Sequence, residues 1–107
     1  MLINWLQDWY QSQCDSDWEH DYGIRIETLD NPGWSIEIDL TNTTVTMYSQ
    51  KWELIEISKN SWVGYKIEND IYFASGDPKK LELMILIFKQ IVENKKIDNS
   101  FIFNNMN

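Results

Sequence analysis

The apolar positions of this chain change period along its length, and the changes mark out its elements. Leu2, Trp5, Leu6, Trp9, Tyr10 and Gln13 fall at i, i+3, i+4, i+7, i+8 and i+11, one stripe of a helix. Asn4, Gln7, Asp8, Gln11 and Ser12 take its other side, and the short polar residues at Gln13–Asp15 predict its end, because they compete for backbone hydrogen bonds. From Gly23 the period becomes two. Ile24 and Ile26 alternate with Arg25 and Glu27; Trp34, Ile36, Ile38 and Leu40 alternate with Ser35, Glu37 and Asp39. Between them Asp30-Asn31-Pro32-Gly33 reads as a type II turn, with Pro setting φ at the second position and Gly supplying a positive φ at the third. The two runs form an antiparallel hairpin.

Thr41–Gln50 admits two readings: TNTT suggests a loop, while Val45, Met47 and the β-branched Thr residues allow a short edge strand. Strands follow at Trp52–Ile57, Trp62–Ile67 and Ile71–Ser75, with turns at Lys59-Asn60-Ser61 and Glu68-Asn69-Asp70. Gly76-Asp77-Pro78 signals a helix start, Asp77 as N-cap and Pro78 at the first helical position. Leu81, Met84, Ile85, Phe88, Ile91 and Val92 give that helix its core face. Leu83 and Ile87 add a second apolar edge, so it is either deeply seated or shared with a partner. The expected architecture is α+β: an antiparallel meander sheet of four to five strands, with an N-terminal and a C-terminal helix packed on it. Residues 1–94 form this single domain and 95–107 a tail whose order the pattern does not set. Such a sheet leaves its other face wet or open to a partner.

Composition narrows the function. With 43% hydrophobic residues and six Trp, the 107-residue chain has ample material for one core and is not a disordered segment. The net charge of −8 is unevenly placed: up to residue 50 nine acids face Arg25 alone, whereas from Lys51 onward eight Lys match eight acids. That field repels nucleic acid and anionic membranes and attracts a basic protein surface; plain solubility is the blander meaning. A single Cys forms no intramolecular disulfide, in keeping with a reducing compartment. The first residues, MLINWLQDWYQ, lack the pattern of a signal peptide, and the longest apolar run, Leu83–Phe88, falls far short of the about 20 residues that span a bilayer. A soluble, cytoplasmic protein is expected.

Candidate chemistry is sparse. Cys14 and His20 would make a thiol nucleophile and base, but nothing in the motif orients the imidazole, and a lone Cys is more often an inert packed residue. Asp15-Ser16-Asp17-Trp18-Glu19-His20-Asp21 resembles a calcium loop superficially. The required Gly and Glu at loop positions 6 and 12 are missing in both registers, and one His makes a weak zinc site. There is no glycine-rich phosphate loop and no basic patch with interleaved aromatics. The expectation is therefore no catalytic residue, no metal and no cofactor. The notable feature is four like charges, Asp15, Asp17, Glu19 and Asp21, crowded into seven residues with no Lys or Arg close in sequence. They predict a protein-binding surface with Trp18 or Tyr22 as its aromatic anchor. Against this stands a buried Trp18 that merely tethers a solvated loop.

The stretch WLQDWYQSQCDSDWEHDYGIRIETLDNPGWSIEIDL, together with GDPKKLE at Gly76–Glu82, resembles the immunity 53 family of bacterial polymorphic toxin systems. The resemblance runs from Trp5 to Val92; family members typically carry Gly where Ser16 stands. It implies an antitoxin-like, non-enzymatic protein that sits in the producing bacterium's cytoplasm. There it would neutralise a cognate toxin domain by tight non-covalent association, and the acidic first half of the chain points to a basic surface on that toxin. No established binding residues carry over from the family, so the loop residues rest on the physical reading. The alternatives are a small hydrolase using Cys14 and His20, and a metal-binding regulator using the Asp15–Asp21 loop.

Overall fold

The computed structural model describes residues 1–45, 48–94 and 97–106. Its elements are α1 (Leu2–Gln13), α2 (Trp18–Asp21), β1 (Ile24–Leu29), β2 (Gly33–Asp39), β3 (Gln50–Ser58), β4 (Ser61–Glu68), β5 (Ile71–Gly76), α3 (Leu81–Asn94) and α4 (Asn99–Asn104). The strands make one antiparallel sheet in the order β1-β2-β5-β4-β3; α3 packs on it and the N-terminal α1 packs against α3, giving the α+β fold read from the sequence. The sheet departs from a plain meander at one place. A hairpin, β1–β2, and a three-strand meander, β3–β4–β5, are joined by β2 pairing with β5, so the link from β2 to β3 leads to the far edge of the sheet. Thr41–Val45 of that link are turns and bends, whereas Thr46 and Met47 lie outside the described residues.

One face of the sheet carries the core. Ile36, Ile38, Tyr72, Ala74, Val63, Tyr65 and Ile67 are buried there, under α3, which lies across β5 and β2 with α1 beside it. Phe88 of α3 is the hub. Its ring meets Trp9 edge-on at 4.9 Å, Trp5 at 5.9 Å and Tyr72 at 5.1 Å. Offset and edge-to-face geometry of this kind adds to what area burial alone contributes. The Tyr72 hydroxyl donates to the Met84 carbonyl at 2.7 Å, so the buried phenol is satisfied, and burial holds its pKa well above the ordinary range. Leu83 and Ile87 are both buried, so the second apolar edge of α3 belongs to a deeply seated helix. The sequence expectation of one core holding Trp9, Ile36, Ile38, Ile85 and Phe88 agrees with this, with Trp5 and Trp34 partly buried against it.

Two local expectations are corrected. Gly33 is the first residue of β2, paired with Leu29, and does not have the positive φ that a type II turn requires at that position, so the connection is not a type II turn; the Asn31–Pro32 bond is cis. Glycine is needed at 33 for space: a Cβ there would fall 2.3 Å from the Gly76 carbonyl oxygen. Asp77 is not the N-cap of α3, which begins four residues later at Leu81. Asp77 is buried instead. Its carboxylate accepts from the N–H of Trp62 at 2.8 Å, the N–H of Lys79 at 2.9 Å and the buried Lys80 ammonium at 2.8 Å. Burial raises its pKa, but the Lys80 ammonium and the two N–H groups outweigh that and leave it lowered. This cluster ties the start of β4 to the entry of α3.

The Asn69-Asp70 turn follows its sequence signal. Both residues have positive φ, as a type I′ hairpin turn between β4 and β5 requires. Beyond α3, Asp98 caps α4 by accepting from the Phe101 N–H at 2.8 Å, and Ile102 and Met106 enter the core cluster. Asn99 donates to Glu53 at 2.7 Å, which fixes α4 against β3. Lys95, Lys96 and Asn107 lie outside the described residues.

Candidate functional site

The acidic loop between α1 and β1 is built by its own carboxylates. Asp15 Oδ1 accepts from the N–H groups of Asp17 at 3.0 Å and Trp18 at 2.9 Å, and Glu19 accepts from those of Asp15 at 3.0 Å and Ser16 at 2.9 Å. These bonds stabilise the charged forms. The Trp18 and Asp17 N–H groups hold the Asp15 pKa below its ordinary value, and backbone N–H groups, its own first, lower that of Glu19. Ser16 adopts φ 81°, in the left-handed region that favours glycine.

Two of the four crowded acids therefore serve the loop itself. Asp17, at the N-cap of α2, makes no side-chain cap bond, and Asp21 is exposed. Trp18 is buried at 4% exposure; its indole N–H donates to the Thr41 carbonyl at 2.9 Å and its ring meets Trp9 edge-on at 6.2 Å. The structure thus places Trp18 as the pillar under the loop. Tyr22 is half-buried beside it at 6.1 Å. Asp21 and Tyr22 line a hollow with Arg25, Glu37 and Asp39, so the loop's end adjoins the acidic side of the sheet.

The thiol and the imidazole of the hydrolase reading do not meet in a hydrogen bond. Cys14 Sγ donates to the Tyr10 carbonyl at 3.4 Å, closing the end of α1, and His20 is exposed on α2. Among the described residues no three of His, Cys, Asp and Glu are grouped to hold a metal ion.

The second surface is the sheet face away from α1 and α3. Its β1–β2 side carries Arg25, Glu27, Glu37 and Asp39, with Arg25 ion-paired to Glu37. Its other side is apolar: Trp52 and Leu54 of β3, Trp62 of β4 and Phe73 of β5. The Trp52 ring packs on Gly64, where a Cβ would come within 2.3 Å of the indole, and stands 6.3 Å from Phe73. Although pinned in this way, Trp52 keeps 44% of its surface exposed and Leu54 keeps 50%. Sequence reading assigned these strands without distinguishing this face. The available signal was that β3, β4 and β5 set apolar residues on both sides, where a half-wet antiparallel strand should alternate with polar ones.

A protein-family model, Immunity protein 53, matches residues 3–93, a span from α1 to the end of α3 that leaves α4 outside. No curated protein and no solved structure matches the chain.

Proposed function

This chain belongs to the Immunity protein 53 family, and we propose that it acts as the inhibitor of a cognate protein toxin, by tight non-covalent binding in the cytoplasm of the cell that makes the toxin. The family match over residues 3–93 is the observation that carries this reading. The charge distribution agrees with it: an acidic half attracts a basic toxin surface and speeds association above the unsteered rate of about 10⁵–10⁶ M⁻¹s⁻¹. No step of such inhibition asks for a nucleophile, a metal or a cofactor, and nucleic acid and membranes are not its partners.

The acidic loop contributes to the toxin-facing charge. Asp17, Asp21 and Tyr22 present the contact, while Asp15, Glu19 and Trp18 hold it in shape. The test is to co-express the toxin domain encoded beside this chain with wild type and with the double variant Asp17→Lys/Asp21→Lys, and to measure survival and affinity across a salt series. Wild type should protect, with affinity falling as salt rises; the double reversal should slow association. A wild type that neither protects nor binds would overturn the inhibitor reading. A reversal without effect would remove only the loop from the interface.

A further inference from the structure

We propose that the open face of the sheet, centred on Trp52 and Leu54, receives a cationic segment of the toxin that carries an apolar anchor side chain; this rests on the inhibitor reading and places its main contact away from the acidic loop.

Three observations converge on this face. It exposes a contiguous apolar strip, and Trp52 and Leu54 are among the larger exposed hydrophobic residues of the protein. Contiguous apolar patches rimmed by polar residues mark interaction sites more often than isolated exposed residues do. The strip is also preorganised. Trp52 is seated on Gly64 against Phe73, so its orientation is fixed before any partner arrives, and little ordering cost falls on binding. A hollow of about 510 Å³ opens beside it, between Trp52, Leu54, Glu56, Trp62 and the Asn31-Pro32 turn, large enough for an aliphatic or aromatic side chain.

Charge sets the partner's chemistry. Arg25 and Lys66 on this face are engaged, Arg25 with Glu37 and Glu27, Lys66 with Glu68 at 3.4 Å. Asp39 adds to the acidic β1–β2 side, while on the aromatic side Glu56 lines the hollow together with Lys59 of the hairpin tip. Over the whole face the carboxylates Glu27, Glu37, Asp39, Glu56 and Glu68 outnumber the cations Arg25, Lys59 and Lys66, with the excess on the β1–β2 side of the aromatic floor. An Arg or Lys laid over Trp52 or Trp62 would meet an indole face and a carboxylate together, a pairing that favours cations. A second copy of this chain is the poorer occupant: with a net charge of −8 on each copy, face-to-face stacking would bring two acidic surfaces together.

The experiment measures binding of the full chain to the inactivated toxin domain encoded beside it. The variants are Leu54→Lys, Leu54→Ser, Glu56→Lys and, as the loop control, Asp17→Lys, each checked by thermal unfolding. Sedimentation of the chain alone reports self-association. Leu54→Lys should weaken binding by at least about tenfold with an unchanged unfolding midpoint, and more than Asp17→Lys does. Leu54→Ser covers the case in which the Lys variant misfolds; it should weaken binding by at least about threefold. Glu56→Lys should slow association. Binding within about threefold of wild type for both Leu54→Lys and Glu56→Lys overturns the placement while leaving the inhibitor reading intact. Dimers of wild type that Leu54→Lys dissociates also overturn it, because the face would then belong to a second copy. If wild type itself fails to bind the toxin domain, the inhibitor reading falls, and this proposal with it.

Discussion

Tyr72 and Phe73 are neighbours in β5, yet one is fully buried under α3 and hydrogen-bonded to Met84, while the other stands on the open face beside Trp52. The same division runs through β4, where Val63 is buried and Trp62 lines an open hollow. On the covered face Trp9 and Tyr72 are buried around Phe88, with Trp5 partly buried beside them. On the open face Trp52 packs against Gly64 and Phe73 and still keeps 44% of its surface exposed, while Phe73 and Trp62 are half-buried. The comparison separates two ways of using aromatic residues. Full burial stabilises the fold in proportion to the area removed from water. Lateral packing on an exposed strand gives a smaller cross-strand contribution and leaves surface for something else.

The largest expected effect tests the covered face. Phe88→Ala should lower the unfolding free energy by about 3–5 kcal/mol in chemical denaturation, since it empties the hub of the aromatic cluster. A loss of under about 1 kcal/mol would erase the distinction between the faces. Gly64→Ala probes the open face. Its new methyl must displace the Trp52 ring, at a cost of about 1–3 kcal/mol if Trp52 is firmly seated. The Trp52 indole N–H resonance should shift with it; an unmoved resonance and unchanged stability would mean that the ring is not held in place. The smallest effect belongs to the acidic loop, which differs from both faces in being ordered by charge. Carboxyl titration followed by NMR should place Asp15 and Glu19 below their ordinary 3.8 and 4.5. A carboxylate with a depressed folded-state pKa contributes stability at neutral pH that is lost as pH falls through its folded-state value. The loop should therefore keep its amide protection at pH 5 and lose it only on stronger acidification. Ordinary values for both groups would show that their backbone hydrogen bonds do not persist in solution.

The covered face was legible in the sequence because its periods are clear: 3.6 along α1, two along β2, and along α3 a core stripe widened by a second apolar edge. Asn69-Asp70 was legible as a turn because residues tolerant of positive φ stood between two apolar runs. The turn at Asn31–Gly33 was misread because glycine has two uses. Proximity of Gly33 to the Gly76 carbonyl is a long-range fact that local turn chemistry does not carry. Asp77 was misassigned for a related reason: its main partners, the Trp62 N–H and the Lys80 ammonium, take the carboxylate into the interior. In the loop, sequence showed four acids but not that Asp15 and Glu19 turn back onto their own backbone, nor that Trp18 reaches Thr41, 23 residues away. The open-face strip was hidden because strands apolar on both sides look the same whether or not something covers the second side.

The joint between β2 and β5 carries a kinetic meaning. Every other strand pair closes a hairpin between consecutive strands, so β1–β2 and β3–β4–β5 form locally, with short loops to close. Trp34 meets Gly76 and Asp39 meets Ile71 only after the chain between them has come together. Pairings distant in sequence are slow to form because loop closure comes before their reward. That joint also separates the sheet by topology into two units, the β1–β2 hairpin and the β3–β4–β5 meander, and native-state exchange would show whether they open separately. The acidic side of the open face sits on one unit and the aromatic strip on the other. A ligand that grips both bridges the joint, and would slow its opening without touching a single residue of the core.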